Sequence, residues 1–465
     1  MDRRYFLAID IGASSGRHIL GWLENGKMIL EEIYRFKNGA IKRDGKLVWD
    51  DKSLFKDVVE GIKKCKEIGK IPVSIGIDTW GVDYALLDES DNLIGEIYSY
   101  RDDRTLDVID KVNSIISESQ AYSITGIQKQ VFNTIYQLYC DKLSGKMEKA
   151  KTFLMMPDYL HFLLTGVKRN EFTNASTTGM LNAKTREWDC EIIDKLGFNK
   201  DLFKPLSLPG TIVGGLKKEI KDIVGFDTNV YLPATHDTAS AVMAVPNVEF
   251  PLYISSGTWS LFGVETLDEI TTETARISGF TNEGGYNKTI RFLKNIMGMW
   301  MIQCIKKEYD DKYSFVDFVE LANGAEDFGS VVDVNDLSFF APDSMIDAVK
   351  NYCAKTNQKV PETVGEIVRC VYVSLAKCYA IAVDQIEQIT GKTFKEINIV
   401  GGGCQNVLMN ELTAKYTKRT VVAGPVEATA TGNLLAQMLA LKEITTLTEG
   451  KEIIKKSFEI KEIKA

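Results

Sequence analysis

Twice in this chain an apolar strand runs into a turn of small residues and returns as a second apolar strand, and that recurrence limits the fold more than any other feature. The first copy reads Tyr5-Phe-Leu-Ala-Ile9, then Asp10-Ile-Gly-Ala-Ser-Ser-Gly-Arg17, then Ile19-Leu-Gly-Trp-Leu23. The second runs from Leu252 to Phe262 and turns at Ser255-Ser-Gly-Thr258. Two such hairpins, one opening each half, imply two similarly folded domains that each offer a turn to one polyphosphate. A chain of 465 residues, 45% hydrophobic, is in any case too long for a single core. The expected domains are 1–245 and 246–465.

In the first turn, Gly12 and Gly16 permit backbone conformations that a Cβ resists, while Ser14, Ser15 and successive amides can point at phosphate oxygens. A plain tight turn has a similar composition, but it needs neither Asp10 at the strand end nor Arg17 at the exit. Gly21 to Met28 mimics the glycine and lysine spacing of a P-loop. Met28 stands where a magnesium-binding Ser or Thr belongs, and Asn25-Gly26 is a hairpin signal, so a Walker-type NTPase is excluded. A second glycine patch, Gly401-Gly402-Gly403, follows the apolar run Glu396–Val400 and precedes a helix expected at about 405–418. Three glycines strip side chains from the backbone, which lets a flat ring such as adenine lie against it.

Pro233-Ala-Thr-His-Asp-Thr-Ala-Ser-Ala-Val242 sets one carboxylate, Asp237, among small residues just before a helix expected at 238–244. A general base must reach the proton it removes, and Ala234, Ala239, Ser240 and Ala241 leave that room; a helix-capping role for Asp237 fits the same pattern. Ile77-Asp-Thr-Trp-Gly-Val-Asp83 breaks two strands where ligands gather, with Trp80 either a sugar-stacking face or core. Tyr100 to Thr105 is a charge cluster suited to sugar hydroxyls or to a solvated loop, and 171–179 reads as a hydrogen-bonded loop. Long helices are expected at 52–68, 290–309 and 361–391, the last apolar at Ile367, Val371, Leu375, Cys378, Ile381 and Ile389.

A net charge of −8 lacks the basic footprint of a nucleic-acid binder. Eight cysteines without CxxC pairs and three histidines argue against structural zinc and for reduced thiols, although Cys353 and Cys370 could meet in space. Arg3-Arg4 mimics a twin-arginine signal, but the apolar run stops at Asp10. No uncharged apolar stretch approaches the roughly 18 residues a membrane helix needs, so a cytoplasmic protein is expected.

Asp10 to Arg17, Ser255 to Trp259 and Gly401-Gly-Gly-Cys-Gln-Asn406 resemble the phosphate-1, phosphate-2 and adenosine elements of the FGGY carbohydrate kinases. Ile77 to Asp83, Tyr100 to Thr105, Thr235 to Ala239 and Lys294 to Gly298 are similar to the sugar-side motifs of one ketose-specific branch of that family. The resemblance covers residues 4–440 and implies an α/β fold. Two ribonuclease H-like domains of the actin and hexokinase type would each hold a mixed five-stranded sheet flanked by helices, with a cleft between them. It further implies ATP-dependent phosphorylation of L-rhamnulose at the C1 hydroxyl, with Asp237 as base. Ala13, Ser14, Ser15, Gly16, Arg17, Thr258, Gln303 and Gly402 would contact ATP; Gly81, His236, Thr238 and Asn295 would contact the ketose, with Gln303 one helical face on from Asn295. Asp10 would hold Mg²⁺ through water. The implied partners are the sugar and ATP, with neither nucleic acid nor membrane, in a monomer or small homo-oligomer. Kinases for fuculose, xylulose or glycerol share the ATP elements and remain alternatives, as does an actin-like ATP-switched interaction protein. A silent sugar sensor would have lost its base, and Asp237 is present.

Overall fold

The computed structural model describes residues 3–246 and 250–465. The chain forms two compact units, one comprising 1–244, 265–292 and 428–457, the other 245–264, 293–427 and 458–465. The segments 265–292 and 428–457, which lie in the second half of the sequence, thus pack with the first.

The first unit is built on β1 (Tyr5–Ile11), β2 (Ser15–Glu24), β3 (Lys27–Lys37), β4 (Pro72–Thr79), β5 (Ile212–Gly215) and β6 (Asn229–Tyr231), ordered β5-β6-β4-β1-β2-β3. The sheet is mixed: β1 runs antiparallel to β2 and parallel to β4. It has six strands where five were expected, because β5 adds an antiparallel edge beside β6. Every residue of β1 after Tyr5 is buried, as a central strand covered on both faces requires. Asn25 and Gly26 have φ of 52° and 73°, the left-handed pair of a two-residue hairpin, so the P-loop spacing at 21–28 is a turn. The helix Asp51–Glu67 begins where the Asp50 carboxylate accepts from the Ser53 amide, and it buries Leu54, Val58, Ile62 and Cys65.

The helix Ala428–Ala440 reaches this sheet through polar side chains. Gln437 donates to the Leu7 carbonyl (3.0 Å) and accepts from Ser74 Oγ (2.6 Å), and Asn433 donates to the Gly76 carbonyl (3.1 Å) and to Asp78 Oδ2 (2.5 Å). Buried amides bonded to strand carbonyls fix the helix in register, since any slip would leave several polar groups unsatisfied.

In the second unit β7 (Leu252–Ser256) pairs antiparallel with β8 (Trp259–Thr266) and parallel with β9 (Glu396–Val400). Beyond β9 lie β10 (Thr420–Ala423), parallel, and β11 (Lys461–Ile463), antiparallel, in a sheet of seven strands where five were expected. The expected helix at 361–391 is Val364–Thr390, opened by a Thr363/Glu366 capping box and closed by Gly391 at φ 66°. Its buried stripe holds Ile367, Val371 and Leu375, whereas Ile381 is exposed.

Two further expectations give way. Residues 290–309 are not one helix but the strand Ile290–Met297 followed by the helix Trp300–Glu308. The break is at Gly298, where a Cβ would sit 2.6 Å from the Ser260 amide, so the backbones touch. Asn295 and Gln303 consequently share no helical face. Residues 171–179 are not a loop but the short helix Phe172–Ala175 and a 3₁₀ turn, Ser176–Thr178, ending at Gly179 with φ 72°. Glu171 caps them by accepting from the Thr173 (2.8 Å) and Asn174 (3.2 Å) amides. The two cysteines singled out, Cys353 and Cys370, are buried free thiols.

Candidate active site

In the first unit the site grows from neighbouring strand ends. Asp10 on β1 lies opposite Asp78 on β4 in the parallel register and opposite Arg17 on β2 in the antiparallel one. Past β4, the Thr79 amide donates to the Thr235 carbonyl (2.9 Å), and Thr79 pairs with His236 as an isolated parallel bridge. The chain at 233–236 thus continues the line of β6 alongside β4 before turning into the helix Asp237–Met243. Three segments deliver Asp10, Asp78 and Asp237 to one neighbourhood, as the ends of a parallel sheet do for ligand groups.

Asp237 is the first residue of its helix, and His236 occupies the cap position without a side-chain capping bond. Asp237 Oδ1 accepts from the next residue, from the Thr238 amide at 2.5 Å and the Thr238 hydroxyl at 3.1 Å. Its side chain keeps 32% of its surface, while Ala234, Ala239 and Ala241 around it in sequence are buried. Burial first, then the Asp10 charge, push its pKa up to about 7, against the opposing Thr238 bonds and the Arg291 charge. Asp78 is fully buried; burial, Asp10 and Asp237 raise it well above the usual carboxylate range. Asp78 Oδ2 holds Asn433, and its Oδ1 has no partner.

The turn between β1 and β2 is braced by Asn38, whose amide donates to the Ser14 carbonyl (3.1 Å) and whose side chain donates to the Gly12 carbonyl (2.8 Å). Ser14 is exposed, and Ala13 and Ser15 are half-buried. Arg17 Nη2 donates to Asp10 Oδ2 at 2.7 Å. Neither Gly12 nor Gly16 uses a left-handed φ; Gly16 is glycine because a Cβ would enter the Phe36 ring.

Gly81 precedes Val82, whose φ of 67° is strained for a β-branched residue, and the Val82 amide donates to Thr177 Oγ1 (3.0 Å). Trp80 is core: it packs on Trp49 at 4.2 Å between ring centroids, and both indoles donate to Asp83 Oδ2 at 2.9 Å and 2.7 Å. The Tyr100–Thr105 cluster is no solvated loop, since Asp102 accepts from the Leu47 amide (2.8 Å) and Arg104 pairs with Asp141 (2.7 Å).

In the second unit the β7–β8 turn docks on the start of the helix Trp300–Glu308, with the Trp300 amide donating to the Thr258 carbonyl (3.0 Å). Thr258 Oγ1 lies 3.5 Å from Gln303 Oε1 on that helix. The three glycines abut the end of β7: a Cβ on Gly403 would fall 2.8 Å from Ser256 Cβ, and Gly401 has φ 84°. Gly402 needs glycine for neither reason, because a Cβ there would meet open space. Thr258 and Gln303 are thereby brought together and Gly402 lies between two glycines that pack on Ser256, whereas Asn295 lies half-buried on its strand.

Sequence reasoning gave no role to Asp78, Glu283 or Arg291. Arg291 was nonetheless visible as a lone charge in the apolar run Ile290-Arg-Phe-Leu293.

The chain matches the model of the FGGY family of carbohydrate kinases over 5–244 for its N-terminal domain and 252–441 for its C-terminal domain. The chain belongs to the FGGY family of carbohydrate kinases. A rhamnulokinase from Halalkalibacterium halodurans is 52% identical over 98% of this chain and 98% of its own. One from Bacillus subtilis is 45% identical over 98% and 94%. Among solved structures, xylulose kinase from Lactobacillus acidophilus matches with a TM-score of 0.80 at 18% identity, covering 99% of this chain and 94% of its own. Gluconate kinase from the same organism matches at 0.81 and 17%, covering 100% and 94%. The expected two-domain FGGY kinase fold, with mixed sheets flanked by helices, is therefore borne out. Membership also decides for a carbohydrate kinase over the actin-like interaction protein. Kinases of this family use ATP, generally with a divalent metal. Among the described residues no three His, Cys, Asp or Glu side chains converge closely enough to ligate an ion directly, and no helix is long and apolar enough to cross a membrane.

Proposed function

We propose that this FGGY kinase transfers the terminal phosphoryl group of ATP to the C1 hydroxyl of L-rhamnulose, with Asp237 as general base. The observation that carries the chemistry is Asp237 itself, a partly exposed carboxylate at a helix start, beside Asp10 in charge, with a pKa of about 7. A base works best with a pKa near the operating pH, because it is then both deprotonated and basic. The choice of sugar rests on full-length identity of up to 52% to rhamnulokinases.

Asp237 takes the C1 hydroxyl proton, the oxygen attacks the γ-phosphorus, and ADP leaves. The transition state is loose and anionic, so the chain's main task is to hold both oxygens in line and offer hydrogen bonds. Ala13 to Arg17 would supply amides and hydroxyls to the phosphates on the first unit, and Thr258, Gln303 and Gly402 would hold the nucleotide on the second. Gly81, His236, Thr238 and Asn295 would contact the ketose. The acidic strand ends fit Mg²⁺ held through water: Asp10 and the unpartnered Asp78 oxygen present hard donors without closing a direct ligand set. When bound, the ion would neutralise phosphate charge, with Asp10 facing its hydration shell. We place the enzyme in the cytoplasm.

ADP release with Mg-ATP and a panel of L-rhamnulose, L-fuculose, D-xylulose, glycerol and no sugar tests this reading. Turnover that needs L-rhamnulose supports it, and preference for another polyol overturns the choice of sugar. The pH profile of kcat/KM should fall on the acid side with an apparent pKa near 7, because protonated Asp237 accepts no proton. Since the Asp10 charge raises Asp237, Asp10→Asn should move that limb to lower pH; an unmoved limb would place the titrating group elsewhere. Gly402→Val should leave stability unchanged, yet raise KM for ATP about 10-fold by covering the ring-binding face. Gly403→Val should instead destabilise the fold, as thermal melts of both variants would report.

A further inference from the structure

Arg291 has no exposed surface, and the reading above gives it no role. Its Nε donates to the Gly284 carbonyl at 2.8 Å, and its Nη2 donates to Glu283 Oε2 at 3.1 Å and to His236 Nδ1 at 2.9 Å. A guanidinium is a donor at every nitrogen and stays protonated in proteins, so the imidazole nitrogen facing it must accept. The ring proton of His236 therefore sits on Nε2, which lies 3.5 Å from Asp237 Oδ1. That separation is too long for a firm hydrogen bond, which leaves Nε2–H open to a substrate oxygen. Burial, then the Arg291 charge, hold His236 well below the usual histidine range, so the ring is neutral. Glu283 Oε2 also lies 3.4 Å from Nδ1 and would draw the proton to that side if Arg291 were removed.

We propose that Arg291, braced by Glu283 and the Gly284 carbonyl, is a positioning residue that locks His236 as the Nε2–H tautomer and so aims a hydrogen-bond donor at the ketose beside the Asp237 base. The site then offers unlike groups side by side. Asp237 reads the hydroxyl that gives up its proton, and His236 reads an oxygen that accepts one. An Nδ1–H tautomer would set two acceptors against the sugar and lose the second contact. The ketose half of the proposal rests on the function proposed above; the tautomer half does not.

The test is long-range ¹H–¹⁵N correlation of the imidazole side chains at pH 7.5. The chain has three histidines, His18, His161 and His236, so the His236 signals are assigned by their loss in His236→Gln. The wild-type protein should show Nε2 protonated and Nδ1 accepting. Arg291→Met should move the proton to Nδ1, toward Glu283, and raise KM for the ketose about 10-fold with KM for ATP unchanged. Arg291→Lys, which keeps a charged donor, should retain the wild-type tautomer and most of the ketose affinity. An Nδ1–H or doubly protonated ring in the wild-type protein overturns the proposal, as does a folded Arg291→Met enzyme with unaltered ketose KM. The wild-type spectrum needs no Arg291 variant, so a misfolded Arg291→Met leaves it decisive. Undiminished turnover by Asp237→Asn would sink the base assignment while leaving the His236 spectrum as expected.

Discussion

Asp237→Asn should lower kcat by about 10²- to 10⁴-fold while KM for the ketose changes little, because the amide keeps the shape of the carboxylate but accepts no proton. The same variant should lose nothing in stability. Burial and Asp10 raise the folded pKa of Asp237 to about 7, far above that of an unfolded carboxylate. The native state therefore binds the extra proton, and this contribution is present below about pH 4 and lost as pH rises through about 7. At pH 8 the ionised carboxylate weighs against the fold, and Asn removes that cost. A melt at pH 8 should find the variant at least as stable as the parent. Near-full turnover would refute the base assignment, and a sharp fall in stability at pH 8 would refute the account of why the pKa is high.

The second large effect is expected far from Asp237 in sequence. Gly432 in the helix Ala428–Ala440 packs on the backbone of the helix Asp237–Met243, so closely that a Cβ would sit 2.6 Å from the Ser240 carbonyl carbon and nearer still to its oxygen. An alanine here gains about 1 kcal/mol in helix propensity. Overpacking costs about 1–3 kcal/mol or more, and neither partner is a side chain that can swing aside, so the upper end applies and the clash wins. Gly432→Ala should lower Tm by roughly 5 °C or more. Relieving the overlap requires the two helices to part by about 1 Å, and a displacement of that size at the reacting centre costs about 10²-fold in kcat. Gly402→Ala, whose Cβ meets open space, is the matched control. An unchanged melt for Gly432→Ala would show that this helix contact does not hold the Asp237 helix in place.

Much of the framework was legible because its signals are local. Strand, small-residue turn and strand at 5–23 and again at 252–262 became β1–β2 and β7–β8, and Asn25-Gly26 became the hairpin turn its dipeptide implies. One acid at a strand end, Asp10, and one at a helix start, Asp237, stood out by position, whereas Asp78 did not. The strand at 290–297 was misread because Ile290, Leu293, Ile296 and Met297 also satisfy helical spacing, and only the close approach of Gly298 to Ser260 marks the break. The glycines carried a mixed message. Those at 16, 298, 403 and 432 are dictated by neighbours remote in sequence, and Gly402 by no neighbour at all.

The sequence by itself determined the family, the paired hairpins and the placing of an acid at the helix start, because period, turn chemistry and motif spacing act over a few residues at a time. Tertiary structure alone decided how those residues behave. Burial beside Asp10 brings Asp237 to a pKa near 7, Asn433 arrives from the far end of the chain to hold Asp78, and Arg291 turns the His236 imidazole. Each of these depends on the dielectric and hydrogen-bond partners at a point in space, which chain order does not specify.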